Sequence, residues 1–594
     1  MLSAASPNDR RRPLTQVNEE IQTSVAGAPR TGRFSIIEQF LADGIDHMFG
    51  NPGTVEQGFL DALAAYPRMK YILTLQESIA VLMADGYARA SRGPALVQLH
   101  STPGVGNGIG ALYQAKRGHA PLIVIGGDSG IRYQAMQAQM YGDLVAMAEP
   151  VTKWATMVQE PANLLRVLRR AIKIALTPPM GPVYVCLPQD VLDAPAEDEV
   201  RPTSLISTRT QPETGLIEDA ARMLAAARRP IFFVGDGVAF SGAEEELARL
   251  ALTAGAEVYE VDAGESNMAV ENPLYQGMTG HMFGEASLPI TTRGDVNLVV
   301  GTYMVPEVFP LLGDIYAPGA KVIHVDLDTD AIAKNHRVDL GMLGDPKLTM
   351  AALTRSLESS LSDEQRGAVA TRVQGIGDDK RRREEAALDQ DRQTRDASPL
   401  HMSRFAEELS LQLPQDAIVF DEALTNSPPL SRHLAAVRRG SYHLTRGGSL
   451  GVGFPGAIGA KIAHPDRVVL GISGDGGAMY TIQALWSAAR HHVAVKFIVC
   501  NNRSYRLLQA NIDQYWASQG LEKHDYPLSF DLSTPPLQFV DIARGLGVAG
   551  VRVEQPWEIE AVIREALAHP GPYLIDLVLE GNVHPEMIGV KCGQ

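Results

Sequence analysis

Cysteine is scarce in this 594-residue chain: Cys186, Cys500 and Cys592 stand far apart. That scarcity excludes a disulfide framework and a Cys-rich zinc site, and it suits a reducing compartment. Positive charge is in deficit too. Lys and Arg total 53 against 69 Asp and Glu, a formal net charge of −16. Such a balance leaves no electrostatic footprint for general nucleic-acid binding or for an anionic membrane surface. No uninterrupted apolar run reaches the roughly 18 residues that a transmembrane helix needs. The opening MLSAASPNDRRRPLTQ carries charges without an apolar core behind them, and is not expected to be a secretory signal. What is present is ordinary globular material, 45% hydrophobic and 21% charged. The expectation is a soluble, cytoplasmic, multidomain protein.

Short apolar runs alternate with helix-length stretches after a polar opening. Candidate strands are PALVQLH (94–100), PLIVIGG (121–127) and VYVCLP (183–188), then PIFFVGD (230–236), VNLVVGT (296–302) and KVIHVDLD (321–328). AIVFDE (417–422), VVLGIS (468–473), VKFIVCNN (495–502) and YLIDLVL (573–579) complete the set. Continuous apolar strands separated by helices argue parallel sheets in α/β layers. Two polar breaks, 194–214 and the mixed-charge run 377–399, divide the chain into thirds. The expected order is a disordered tail (1–30), a first domain (31–200), a central domain (215–370), a charged, solvated linker helix (371–398), a third domain (399–580) and a tail (581–594).

The chemistry concentrates in GISGDGGAMYTIQALWSAARHHVAVKFIVCNNRSY, Gly471 to Tyr505. A buried strand ends in a glycine turn at Asp475, Gly476 and Gly477, a helix follows, and a second strand ends at Asn501-Asn502. Asp475 and Asn502 then lie at the carboxyl ends of two strands, the edge where open parallel sheets bind ligands. Glycine-rich backbone before a helix N-terminus suits an anion. A carboxylate, an amide oxygen and the Ser504 carbonyl suit Mg²⁺. GDG alone is weak, since Gly235-Asp236-Gly237 is a second copy with no Asn pair after it.

GDG followed at this distance by NN resembles the thiamine diphosphate signature. Beyond it, HMFGNPGT (47–54), YILTLQESIAVLMADGYARAS (71–91) and VQLHSTPGVGNGIGAL (97–112) resemble the 2-oxo-acid decarboxylase and acetolactate synthase family, most of all its benzoylformate decarboxylase branch. The resemblance implies three doubly wound parallel-sheet domains: pyrimidine-binding, central and diphosphate-binding. It implies thiamine diphosphate and Mg²⁺ as cofactors, and C–C cleavage of a 2-oxo acid through the coenzyme's ylide and an enamine. It also implies a coenzyme held between subunits, hence a homodimer at minimum and a homotetramer as the expected assembly.

By the same resemblance, Glu77 is the coenzyme's acid–base partner, Leu450 props the coenzyme, and the Gly448 carbonyl meets its amino group. Ser427, Gly476, Gly477, Ser504 and Tyr505 are diphosphate neighbours. His100 and Thr54 face the substrate as catalytic groups, with Leu424, Leu507, Leu508, Gln139 and Met140 as further pocket positions. One departure matters. Decarboxylases of this type carry a second active-site histidine, and Val308 stands in its place; His281, on another loop, is expected to be structural.

Five alternatives are weighed. An acetolactate synthase-like carboligase and a 2-hydroxyacyl-CoA lyase share the three domains. A cofactor-binding scaffold without catalysis is opposed by intact Glu77, Asp475 and Asn502. The G-N-G-I-G-A run within 97–115 mimics a dinucleotide fingerprint, but Pro103 disturbs its turn. His491-His492 is no metal site, because adjacent helical residues face apart.

Overall fold

All ten apolar runs are strands in the computed structural model, which describes residues 30–196, 198–434 and 441–584. They join eight shorter strands in three six-stranded sheets. The first contains β1 (His47–Gly50), β2 (Lys70–Leu73), β3 (Ala95–His100), β4 (Leu122–Asp128), β5 (Trp154–Met157) and β6 (Val183–Pro188), in the order β2-β1-β3-β4-β6-β5. The second contains β7 (Pro230–Val234), β8 (Glu257–Glu260), β9 (Tyr275–Met278), β10 (Val296–Val300), β11 (Lys321–Asp326) and β12 (Leu340–Leu343), ordered β12-β11-β10-β7-β8-β9. The third contains β13 (Ile418–Glu422), β14 (Tyr442–Leu444), β15 (Val469–Gly474), β16 (Lys496–Asn501), β17 (Ala549–Val553) and β18 (Tyr573–Val578), ordered β14-β13-β15-β16-β18-β17. Neighbouring strands run parallel throughout.

The strands that apolar runs do not reveal have a common position. β2, β5, β9, β12, β14 and β17 are the six sheet edges. An edge strand is half covered, so it is short and mixed in polarity. β1 and β8 are internal, but at four residues each they are too brief to register as a pattern.

The charge run 377–399 falls mostly inside one helix, Asp363–Gln393, opened by a capping box between Ser362 and Gln365. That helix is not wholly solvated. Lys380 is buried and donates to the carbonyls of Val270 and Asn272, and Arg372 donates to those of Ala254 and Gly255.

The chain divides into two compact units, one of them holding the first sheet with Arg446–Asp466 and Thr481–Val495, the other holding the second and third sheets. In the first unit, helix Glu77–Ser91 lies directly against helix Gly453–Ala463. Glycines permit that approach. A Cβ on Gly459 would stand 1.9 Å from the Met83 carbonyl oxygen, and one on Gly86 would stand 2.1 Å from that of Gly456. Backbone therefore meets backbone along the helix that Glu77 begins. Among the described residues no helix is long and apolar enough to cross a membrane.

Gly459→Ala should destabilise the protein by about 1–3 kcal/mol through overpacking. Gly375→Ala, on the open face of the long helix with nothing within 4 Å, should be neutral or stabilise by up to about 1 kcal/mol. Urea unfolding of both variants checks this; equal midpoints would contradict the helix contact.

Candidate active site

In the first unit, two helix starts and one strand end converge. Gln76 caps helix Glu77–Ser91, its side chain accepting from the Ile79 N–H, and this places Glu77 in the first helical turn. Glu77 is only 7% exposed. Its Oε1 accepts from Asn51 Nδ2 at 3.2 Å and its Oε2 from Asn107 Nδ2 at 2.9 Å. β3 ends at His100, where helix Ser101–Arg117 begins. Gly104 ties the two together, since a Cβ there would lie 3.6 Å from Glu77 Cγ and 3.3 Å from His100 Cβ.

The His100 ring rests on Gly53, where a Cβ would fall 1.9 Å from the ring's Cγ. Its Nδ1 faces Glu56 Oε2 at 2.9 Å and Oε1 at 3.2 Å. Glu56 is buried, and desolvation pushes its carboxyl up despite the opposing pull of His100. The Glu56 carboxylate in turn lies over Gly127 at the end of β4. Sequence reading missed Glu56. The available signal was a carboxylate two residues beyond Thr54 in the same NPGTVEQG turn.

Thr54 is exposed in that turn. Met140 adopts a left-handed backbone (φ 69°), and its carbonyl accepts from Ser101 Oγ at 3.2 Å and Thr102 Oγ1 at 2.7 Å, beside His100; Gln139 is exposed. Gly448 (φ 70°) is exposed with open space around it, and Leu450 is half-buried. The next carbonyl, of Gly451, accepts from Thr481 Oγ1 at 2.7 Å. The G-N-G-I-G-A run is helical, inside Ser101–Arg117, so it forms no dinucleotide-binding turn. His491 is committed elsewhere, its Nε2 accepting from the Leu73 N–H at 3.0 Å.

In the second unit, β15 and β16 are neighbours, and both reach the expected ligand edge. Asp475 is 4% exposed. Its Oδ1 accepts from Gly476 N–H at 2.8 Å and its Oδ2 from Arg503 N–H at 2.6 Å. Burial nevertheless pushes its carboxyl up to about 6, with the backbone donors opposing. Asn502 Oδ1 accepts from Ser504 N–H at 3.1 Å.

Ser504 forms an antiparallel bridge with Asp531, but the bonds are made by its neighbours: Tyr505 N–H to Phe530 carbonyl and Leu532 N–H to Arg503 carbonyl, both 2.9 Å. Such a pairing turns the N–H and carbonyl of Ser504 away from the partner segment, toward the side where Asn502 lies. The Tyr505 ring packs on Gly476, whose Cβ would meet it at 2.2 Å; Gly477 has Ser473 Oγ beside it.

Asp475, Asn502 and the Ser504 carbonyl form a set of hard oxygen donors that fits Mg²⁺. Desolvation of the carboxylate makes a cation there favourable. Among the described residues no three His, Cys, Asp or Glu side chains gather as an alternative metal centre. The second GDG turn differs. Asp236 spends Oδ1 on the N–H groups of Gly264 (2.8 Å) and Glu265 (3.2 Å), and Gly237 packs on Gly301 backbone.

Ser427 is fully buried, and its hydroxyl donates to Asp421 Oδ1 at 2.9 Å. Its backbone is engaged as well: the N–H donates to the Leu424 carbonyl, and the carbonyl accepts from Ser431 Oγ at 3.2 Å. Leu424 has a left-handed backbone (φ 52°) just beyond β13. Leu507 is half-buried and Leu508 is 42% exposed on helix Arg506–Ser518. Val308 is exposed, and its N–H donates to the His281 carbonyl at 3.1 Å, so the two loops are neighbours.

Comparison with known proteins shows the family. Family models match residues 30–147 (thiamine pyrophosphate enzyme, N-terminal TPP binding domain), 217–353 (central domain) and 426–577 (C-terminal TPP binding domain). The chain is 32% identical over 556 residues to benzoylformate decarboxylase of Pseudomonas aeruginosa, covering 90% of this chain and 96% of that protein. It is 27% identical to acetolactate synthase 1, chloroplastic, of Zea mays, covering 94% and 86%. Among solved structures, the thiamine diphosphate-dependent 4-hydroxybenzoylformate decarboxylase of Rhodococcus jostii superposes with a TM-score of 0.80 at 25% identity, covering 93% of this chain and 100% of that one.

Gly53→Ala should displace the His100 imidazole, because the new methyl group would occupy the ring's own space. A crystal structure of the variant should show the contact with Glu56 broken. A ring still within 3.2 Å of that carboxylate would contradict the packing described.

Proposed function

The chain belongs to the thiamine pyrophosphate enzyme family, and we propose that it cleaves the C1–C2 bond of a 2-oxo acid by decarboxylation, releasing an aldehyde, with Mg²⁺ as the metal. The buried Glu77 beside His100 in one unit and, separately, the oxygen donors at Asp475 in the other support this reading. When bound, thiamine diphosphate supplies an electron sink for the pair of electrons left behind as CO₂ departs.

The chain's own groups have separable tasks. Asp475, Asn502 and the Ser504 carbonyl hold the metal. The Gly477 backbone N–H faces the diphosphate, with Gly476, Ser427 and Tyr505 as its neighbours. Glu77 holds a proton shared with the coenzyme's pyrimidine ring, Gly448 offers its carbonyl, and Leu450 props the coenzyme. His100 has Nδ1 engaged by Glu56, so Nε2 is the atom that moves a proton or meets the substrate carboxylate. The Thr54 hydroxyl hydrogen-bonds that carboxylate. Leu424, Leu507, Leu508, Gln139 and Met140 line the substrate side.

A second reading, carboligation of the acetolactate synthase type, is favoured by Val308, which removes one proton donor where a decarboxylase needs it. A homodimer is the smallest working unit and a homotetramer the full assembly. The setting is cytoplasmic.

Glu77→Gln should lower turnover by about 10²–10⁴-fold while thiamine diphosphate affinity, read by calorimetry, changes little. A variant as active as the parent would end the assignment of Glu77. The metal site should be pH-sensitive. A carboxyl raised to about 6 holds its proton below that pH and must release it to bind a cation. Affinity for Mg²⁺ with coenzyme should therefore level off above that pH and fall about tenfold per pH unit below it; Asp475→Asn should abolish it. Titrations across pH 5 to 8 test this, and a flat profile would sink the metal assignment.

A further inference from the structure

Immediately after the Asn501–Tyr505 motif stands a buried arginine that metal and coenzyme binding leave without a task. Arg506 is 2% exposed and begins helix Arg506–Ser518. Its guanidinium makes four hydrogen bonds: Nε to Thr425 Oγ1 at 3.0 Å, Nη2 to Asn426 Oδ1 at 2.5 Å, and Nη1 to Glu580 Oε1 at 2.6 Å and the Glu580 carbonyl at 3.2 Å. Burying a guanidinium is costly, and only a set of well-placed acceptors offsets it. Glu580 is the counter-ion, and its own N–H donates to the Leu400 carbonyl at 2.9 Å.

The acceptors lie just past strands that matter. Thr425 and Asn426 follow β13, Arg506 follows β16, and Glu580 follows β18; β15, with Asp475 at its end, lies between β13 and β16. Arg506 thus spans the carboxyl end of the metal-bearing strand. The residue before its first acceptor is Leu424, at φ 52°. A branched side chain pays a steric penalty there, and such a conformation persists only where its surroundings enforce it. Enforcement comes from two sides. Asp421 Oδ1 accepts from Ala423 N–H at 2.8 Å and Ser427 Oγ at 2.9 Å, while Arg506 grips the two residues between.

We propose that Arg506 is a positioning residue which, with Glu580 as counter-ion, clamps Thr425 and Asn426, holds Leu424 in its left-handed conformation, and so sets which 2-oxo acids the substrate side accepts. The substrate consequence rests on the function proposed above; the clamp itself does not.

The test uses the full-length protein. In the coenzyme-free state, Arg506→Met and Asn426→Ala should raise amide exchange at residues 423–427 by about tenfold while β13 and β15 stay protected. Arg506→Lys, able to keep a charge but not the fork, should fall between. With coenzyme and metal, KM should rise more than kcat falls, and the kcat/KM ratio between a short and a long 2-oxo acid should shift by about fivefold or more. Coenzyme affinity should stay within about twofold. Unchanged exchange at 423–427 overturns the clamp. A uniform loss for all acids, accompanied by lost coenzyme binding, overturns the positioning role in favour of general stability. Should Arg506→Met fail to fold, Asn426→Ala decides alone. Should the parent turn over no 2-oxo acid, the functional reading falls while the exchange result still decides the clamp.

Discussion

Asp475 leaves water at the end of β15 and accepts hydrogen bonds from the N–H groups of Gly476 and Arg503. Backbone dipoles offset part of the desolvation cost, and the remainder appears as a carboxyl pushed up to about 6. Much of the surrounding architecture follows from that residual cost. β16 is the next strand, and the turn after it brings the Arg503 N–H to the carboxylate at 2.6 Å. The segment Phe530–Leu532 pairs with Arg503 and Tyr505 and leaves the Ser504 N–H to Asn502 Oδ1. A buried carboxylate held by backbone N–H groups at a strand end is the feature on which the proposed cation site rests.

Close approach is the second constraint, and glycine meets it. Gly476 admits the Tyr505 ring, Gly53 the His100 ring and Gly127 the Glu56 carboxylate, while Gly86 and Gly459 admit main chain. These positions need no positive φ. They need the absence of a methyl group, because a functional side chain or a neighbouring backbone already fills its volume. His100 illustrates the gain: its ring is fixed by packing from below and by a carboxylate at Nδ1, so one nitrogen remains for chemistry.

Reading residues alone reached far in some places and stopped short in others, for physical reasons. Interior strands such as VNLVV and KFIVC are covered on both faces and announce themselves as apolar runs. Edge strands such as β12 and β17 carry Gly or Arg and do not. Asp475 and Asn502 sit in a motif whose spacing follows strand–turn–helix geometry, and Glu77 in one singled out by its resemblance to a known family. Glu56 and Arg506 do not, because their partners are distant in sequence: Glu56 meets His100 across 44 residues, and Arg506 meets Asn426 across 80. Ser427 shows the converse. Resemblance makes it a diphosphate neighbour, while the fold commits its hydroxyl to Asp421.

Local pattern by itself determined the α/β class and the parallel sheets, because both depend on burial periodicity, while resemblance to known motifs pointed to the kind of coenzyme. Only the tertiary structure decided which nitrogen of His100 is engaged, which way the Ser504 carbonyl turns, and which loops a buried guanidinium joins. Those outcomes depend on desolvation and on contacts between remote segments, and neither quantity exists until the chain has packed.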